Sequence, residues 1–423
     1  MTIIKPRGTR DRYGQDFEKY QIVLSAALNT AKIFGFQEVI LPIFEHAELF
    51  HRQNEASDIV KKELYEFVDR GERKLALRPE ATAALLRMVG ENKLLSTQPL
   101  PLKIFTYGPM FRYERPQSGR QREFYQFDVE IIGGNSHYDV INVISFADQF
   151  LSRIKVVNKP VLKINYLGSP KTRKIWIEAL QTYFANYLNQ LSLLSQDRVK
   201  TNPLRILDDK IDGKLDFVKA APKIDHFLSD DEKLKFNKIL MTLNSLKIDY
   251  EVDLNLVRGL DYYTGIVFEY IQTDTESQQS TLIAGGEYDG LVSELTQKDY
   301  PGIGLAIGID RCIDLVDDTL LSQLKQEQAN RIFTIVLDEN LSTDLIPLIS
   351  TWQQQNIHIV FESQTTKIDK AIKLCERLNY RYLGIVGLTE FNNQALLIKD
   401  LQTRKQTEVK FVNILSWWQS SKE

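Results

Sequence analysis

The sequence predicts an α+β protein: a sheet-based domain carrying a helical insertion, followed by a smaller C-terminal α/β domain. Three observations predict it. Two strand-like runs between Leu102 and Ile132 flank a polar, arginine-rich loop, Tyr113 to Arg122. Residues 170–245 turn helical in pattern, with few glycines and many lysines, leucines and aspartates. After about Asn330, strand and helix patterns alternate, as in an α/β unit whose sheet is at least partly parallel. At 423 residues the chain exceeds one ordinary core, so a catalytic-sized domain over 1–325, interrupted by 170–245, and a second domain over 326–423 are expected.

Taken in order, Asp16 to Phe34 reads as an amphipathic helix. Phe17, Tyr20, Leu24, Ala27, Ala31 and Phe34 recur at helical steps and Gly35 is a natural stop. Glu38 to Phe44 reads as a strand broken by Pro42, which suits an edge or interface position. Strand patterns return over Leu254 to Tyr270 and near Leu282. The run GIGLAIG (302–308) is read as a helix, with Gly304 and Gly308 four apart to let it lie close to a sheet. Asp317 to Gln328 is polar and is the best linker candidate. Beyond it, RIFTIVL (331–337), Leu345 to Gln355, IHIVFES, Ile368 to Leu378, YLGIVG and a hairpin through LIKDLQTRKQTEVKF alternate strand with helix.

Composition excludes several classes. A net charge of −3 argues against a protein that coats nucleic acid non-specifically, while leaving room for local basic patches. Two distant cysteines, Cys312 and Cys375, make neither a disulfide framework nor a cysteine zinc site. There is no signal-peptide pattern and no apolar run of membrane-span length, so no membrane association and a cytoplasmic location are expected. Phosphate-loop and HExxH motifs are absent, and GIGLAIG misses the dinucleotide-binding spacing. None of the five histidines sits at ligand spacing with another ligand type, so no metal held by the protein is expected.

The most informative segment is FRYERPQSGRQREFYQFDVEIIG, which starts at Phe111. An arbitrary loop carrying Arg112, Arg115, Arg120 and Arg122 is most simply a solvated hairpin tip. The strand after it changes that weighting. Alternation puts Phe124, Gln126, Asp128 and Glu130 on one face, and Tyr125, Phe127, Val129 and Ile131 on the apolar other. Guanidinium forks bind phosphates, and carboxylates bind cations or imidazole N–H groups. A ligand with a polyphosphate at one end and an amine at the other fits such a face. Further clusters are Arg78-Pro79-Glu80-Ala81-Thr82, RGLDYYTG with Arg258, Tyr262 and Tyr263, and GGEYDG (285–290) leading to Arg311. Arg258 needs an anionic partner if buried, whereas the tyrosines alone could be core residues.

Together, Arg-Pro-Glu-x-Thr, the FRYERPQSGR loop with its strand, RGLDYYTG and GIGLAIGIDR resemble the histidyl-tRNA synthetase family, in its order and spacing, from RGTRD (7–11) into the C-terminal region. The resemblance implies a class II synthetase core, an antiparallel sheet flanked by helices, with a C-terminal α/β anticodon-binding domain. It implies ATP, L-histidine and histidine tRNA as substrates, Mg²⁺ accompanying ATP, no organic cofactor, and a homodimer formed through the early helix and the Pro42 strand.

By the same resemblance, Arg112 and Arg258 are catalytic, holding the α-phosphate and the histidine carboxylate. Arg120 and Arg311 bind the outer phosphates, Phe124 stacks on adenine and Glu114 reads its amino group. Glu80, Thr82 and Gln126 hold the α-ammonium; Glu130 and Tyr263 bracket the imidazole beside Tyr262, the choice between the two tyrosines being inherited from the family. Arg115 and Gln117 touch the tRNA acceptor end. Three positions depart from the family: Ala81 and Asp128 stand where glycine is frequent, and Glu287, where arginine is common, reverses a charge near the expected ATP site. The alternative is the family's histidine-sensing regulatory subunit of ATP phosphoribosyltransferase, which typically lacks the C-terminal domain.

Overall fold

A computed structural model describes residues 3–51, 63–114, 120–134, 136–156, 158–209, 211–257, 262–272, 281–363 and 366–421. The chain divides into two compact units, Met1–Asp317 and Asp318–Glu423. In the first, the strands are β1 (Gln37–Glu38), β2 (Phe44–His46), β3 (Glu66–Val68), β4 (Lys74–Leu77), β5 (Leu102–Phe111), β6 (Glu123–Ile132), β7 (Val161–Tyr166), β8 (Tyr250–Val252), β9 (Thr264–Ile271), β10 (Thr281–Glu287) and β11 (Gly302–Gly308). Eight form one sheet in the order β1-β5-β6-β11-β10-β9-β7-β8, and β2-β4-β3 form a second, small sheet. The large sheet is antiparallel through β5-β6-β11-β10-β9-β7, with a parallel strand at either edge.

The first helix spans Gly14–Ile33 and turns out at Gly35, whose φ of +75° takes the left-handed cap position. It buries Val23, Ala27, Thr30 and Ala31 and leaves Phe17 exposed, so its inner face is narrower than the apolar pattern suggests. Glu38 to Phe44 is not one strand. Around Pro42 the chain leaves the edge of the large sheet as β1 and enters the small sheet as β2. Between β7 and β8 lie the helices Pro170–Ala185, Leu193–Thr201 and Asp230–Ser245, the last closed by a Ser229–Glu232 capping box.

The expected helix at GIGLAIG is a strand, β11. Its period is two: Ile303, Leu305 and Ile307 are buried on one face, while Gly302, Gly304, Ala306 and Gly308 line the other. The four-residue spacing of Gly304 and Gly308 fits either period, and the alternation of large with small residues decides it. Arg311 accordingly follows a strand, on the short helix Ile309–Ile313. Of the strand expected over Leu254 to Tyr270, residues 254–257 are not strand, residues 258–261 lie outside the described residues, and the strand described is β9.

The second unit opens with the helix Asp318–Ala329, where a polar linker was expected; Leu321 and Ala329 are buried. Its strands are β12 (Ile332–Val336), β13 (Ile359–Glu362), β14 (Tyr382–Val386), β15 (Ala395–Asp400) and β16 (Gln406–Lys410), in the order β13-β12-β14-β15-β16. The β12–β13 and β12–β14 pairs are parallel and β15–β16 is the expected hairpin. Among the described residues no helix is long and apolar enough to cross a membrane.

Candidate active site

The site is built on one face of the large sheet. Cross-strand register places Phe124, Gln126, Asp128 and Glu130 of β6 in successive rows, beside Met110, Gly108, Thr106 and Ile104 of β5. On the other flank the partners of Gln126, Asp128 and Glu130 are Gly308, Ala306 and Gly304 of β11. Small residues along β11 and Gly286 of β10 leave a trough beside a rail of polar side chains. The opposite face of β6 carries Phe127, Val129 and Ile131, all fully buried.

At one end of the trough lies Glu130. Its carboxylate accepts the Thr82 hydroxyl at 2.7 Å and the Tyr288 hydroxyl. Burial drives its pKa up to about 8, against the lowering effect of those two hydroxyls, with Glu80 adding to the rise. Gly304 is required here, since a Cβ would sit 1.6 Å from the Glu130 Oε2. Glu80 precedes the helix Thr82–Glu91 and accepts from the backbone N–H groups of Thr82 (2.7 Å) and Ala83 (3.0 Å), where the helix N-terminus favours an anion. Burial still raises its pKa. Tyr262 and Tyr263 pack together at 4.8 Å between centroids, and Tyr262 meets Tyr288 edge-on at 6.1 Å. Both tyrosines therefore join this end; burial raises the Tyr262 pKa, followed by Tyr263, Glu80 and Glu130.

At the other end guanidinium groups gather. Arg112 donates from Nε to the Pro79 carbonyl at 2.9 Å and lies 5.1 Å from the centre of the Phe124 ring. Arg120 pairs with Glu114 at 3.0 Å. Arg311 donates to the Thr281 carbonyl at 2.5 Å. Its pKa is lowered by burial first and then by the charges of Arg112 and Arg120, both near enough to act on it. Such an arrangement suits a polyphosphate. Arg258, Arg115 and Gln117 lie outside the described residues.

A strap from the N-terminal segment holds this end in register. The Gly8 carbonyl accepts the backbone N–H groups of Arg122 (2.8 Å) and Glu123 (3.2 Å). Arg12 pairs with Asp310, whose other oxygen accepts the Tyr125 N–H at 2.6 Å. Asp310 thereby ties Arg311's helix to the start of β6.

Residues 8–312 match the sequence model of histidyl-tRNA synthetase, and residues 331–420 match that of an anticodon binding domain. The chain belongs to the histidyl-tRNA synthetase family. A histidine–tRNA ligase of Ureaplasma parvum is 44% identical over 95% of this chain and 96% of its own length. One of Mycoplasmoides gallisepticum is also 44% identical, over 96% of this chain and 97% of its own. The solved structure of apo S. aureus histidyl-tRNA synthetase superposes with a TM-score of 0.79 at 28% identity, covering 99% of this chain and 100% of that one.

As in other members of the histidyl-tRNA synthetase family, the fold is a class II core with an anticodon-binding domain. Two features were hidden in the sequence. Tyr288, in the GGEYDG cluster, carried no assigned role, yet its hydroxyl reaches Glu130 and its ring fills the space over Gly302, where a Cβ would approach within 2.5 Å. Gly302 alternating with Gly304 was the signal available. Glu287, expected near the ATP site, pairs with Ile303 and so points to the opposite face of the sheet. There it accepts the Ile266 N–H at 2.8 Å, with Asp289, Lys235 and Asp139 as its charged neighbours. The charge reversal therefore does not bear on the guanidinium cluster. Among the described residues no group of three or more His, Cys, Asp or Glu side chains could hold a metal ion.

Proposed function

We propose that this chain activates L-histidine with ATP and transfers the histidyl group to the 3′ end of histidine tRNA. The observation that carries the reading is the polarity of one trough: a buried, hydroxyl-pinned carboxylate at one end and three guanidiniums at the other. In the first step the histidine carboxylate attacks the α-phosphorus of ATP and pyrophosphate leaves. In the second, the terminal ribose hydroxyl attacks the adenylate's carbonyl carbon and AMP leaves. Neither step needs a protein nucleophile. Positioning and neutralisation of the growing phosphate charge supply the acceleration.

Arg112, with Arg258, steadies the α-phosphate and the attacking carboxylate. Arg120 and Arg311 take the outer phosphates, Phe124 stacks on adenine and Glu114 reads its amino group. Mg²⁺ brought by ATP would be held mainly through phosphate oxygens and would neutralise their charge; Glu114 and Glu269, the carboxylates that act on Arg311, are the side chains at this end that would help to hold it. Glu80, Thr82 and Gln126 receive the α-ammonium. Glu130 accepts an imidazole N–H, with Tyr262 and Tyr263 closing over the ring. A ligand without both ring nitrogens strands these buried groups and is rejected by about 10⁴. Arg115 and Gln117 touch the acceptor end of the tRNA, and residues 326–423 read the anticodon. The protein works as a cytoplasmic homodimer.

ATP–pyrophosphate exchange with each amino acid in turn, without tRNA, tests this. Exchange with histidine alone is expected. A folded protein that binds histidine but exchanges with no amino acid would instead be a histidine-sensing subunit of ATP phosphoribosyltransferase, a reading that the anticodon-binding match over residues 331–420 disfavours.

A further inference from the structure

We propose that Arg173 of the helical insertion is a positioning residue for the amino-acid end of the trough, holding Tyr263 where it closes over the substrate ring. The inference rests on the proposed histidine reading of the same trough.

Tyr263 is placed first by what lies under it. A Cβ at Gly286 would meet the Tyr263 ring at 2.8 Å, so the ring lies over that glycine. Gly286 pairs with Gly304, and Gly304 with Glu130, whose carboxylate fills the space over Gly304. Ring and carboxylate therefore share one cross-strand row, over glycines on adjacent strands about 4.8 Å apart. Pairing of β9 with β10 begins one residue later, at Thr264 opposite Glu287. Glu287 steadies that strand from the far face by accepting the Ile266 N–H at 2.8 Å. Tyr263 stands just before the ladder, and its carbonyl accepts a hydrogen bond from the Arg173 Nη1 at 2.9 Å, across 90 residues of sequence.

Arg173 lies in the first turn of the helix Pro170–Ala185, and that turn is pinned. The Ser169 hydroxyl accepts the Thr172 N–H at 3.3 Å as the helix cap. Glu232, at the start of the helix Asp230–Ser245, accepts the Ser169 N–H at 2.6 Å and the Thr172 hydroxyl at 2.9 Å. Burial works against its charge, but the N–H groups of Ser169 and Ser229 and the Thr172 hydroxyl bring its pKa down to about 2. It stays ionised at neutral pH and keeps the two helix starts together. Just upstream, the Leu167 N–H donates to the Gly265 carbonyl at 2.6 Å, and the Gly265 N–H to the Gly168 carbonyl at 3.0 Å.

The root of the insertion thus grips the chain on both sides of Thr264, at Gly265 through backbone and at Tyr263 through one guanidinium. A charge-assisted hydrogen bond to the carbonyl fixes the Tyr263 peptide plane, and with it the direction in which the ring leaves the chain. Without it the peptide can turn and the ring can leave Gly286. The phosphate end has its own supports, since Arg112 and Arg311 are held by the carbonyls of Pro79 and Thr281.

ATP–pyrophosphate exchange on the full-length protein, read as separate KM values for histidine and ATP, tests this. Arg173→Ala should raise the KM for histidine about tenfold, the worth of one charge-assisted hydrogen bond, and leave the KM for ATP in place. In a Tyr263→Ala background there is no ring to place, and Arg173→Ala should then add less than about twofold. A general loss of packing would raise both KM values together, or exact its full penalty without the ring. Either result overturns the proposal, as does an unchanged KM for histidine. If Arg173→Ala does not fold, Arg173→Met, which keeps the apolar stem without the donor, is read in the same way. Wild-type exchange separates the two readings. Exchange with histidine combined with an indifferent Arg173→Ala sinks this inference alone, whereas a wild-type protein that does not exchange with histidine sinks both.

Discussion

The two larger sheets of this molecule obey different rules. In the C-terminal unit, β12 and β14 are buried along their whole length, and Ile332, Phe333, Ile335, Leu383 and Ile385 fill cores on both faces. In the first unit β6 is also buried over its second half, but Asp128 and Glu130 occupy positions where a core would take valine or leucine. One sheet spends its inner faces on stability. The other gives up apolar contacts along one row of positions and holds Glu130 there with two hydroxyls beside a glycine-sized gap. The difference teaches where to look for chemistry: at the strand whose pattern is sound on one face and breaks the burial rule on the other.

The sharpest way to break this contrast is Gly304→Ala. A methyl group would sit 1.6 Å from the Glu130 Oε2 and expel the carboxylate. Histidine-dependent exchange should fall by on the order of 10²-fold or more, as a misplacement of about 1 Å can cost that much. The same substitution in the C-terminal sheet, Gly384→Ala, meets the Thr334 Oγ1 at 2.7 Å and should lower melting temperature without changing amino-acid activation.

Leu383→Ala, at a fully buried position, should destabilise the C-terminal unit by about 2–5 kcal/mol in denaturant unfolding. Exchange without tRNA should be untouched, and a parallel loss of exchange would contradict the division of labour. On the site side, Arg12→Ala removes the tether to Asp310. The KM for ATP should rise about three- to tenfold while the KM for histidine holds.

Glu130 offers a pH test. Its folded pKa of about 8 lies above the ordinary 4.5, so the native state binds the proton more tightly than the unfolded chain. The stability this contributes is fully present below 4.5 and is lost as pH rises through about 8. Glu130→Gln should flatten that decline in thermal melts between pH 5 and 8 relative to the parent. The smallest effect belongs to Thr334→Val. Among the described residues the buried Thr334 hydroxyl has no hydrogen-bond partner, so its removal should shift stability by no more than about 1 kcal/mol, towards greater stability.

Some of this could be read from residues alone. The alternation of Phe124, Gln126, Asp128 and Glu130 specified a polar face, because side-chain direction in a strand is local geometry. The hairpin Leu102 to Ile132, the alternating strands and helices after Asn330 and the helix Ile368–Leu378 followed from periodicity in the same way. The family emerged from motifs in order. GIGLAIG misled because a spacing of four satisfies both a helix and a strand, whereas the alternation of Ile303, Leu305 and Ile307 with small residues is the mark of the strand that lies between β6 and β10.

The sequence by itself determined which side chains could share a face, most of the helix and strand segments, and that arginines and carboxylates would be brought to one surface. Only the tertiary structure decided that Tyr288 reaches Glu130 across 158 residues, that Glu287 turns to the far face, and that, among the described residues, one buried Asp128 oxygen accepts no hydrogen bond. The reason is physical. Side-chain direction along one element depends on a few consecutive dihedral angles, whereas the satisfaction of a buried polar atom depends on which distant strand the chain lays beside it.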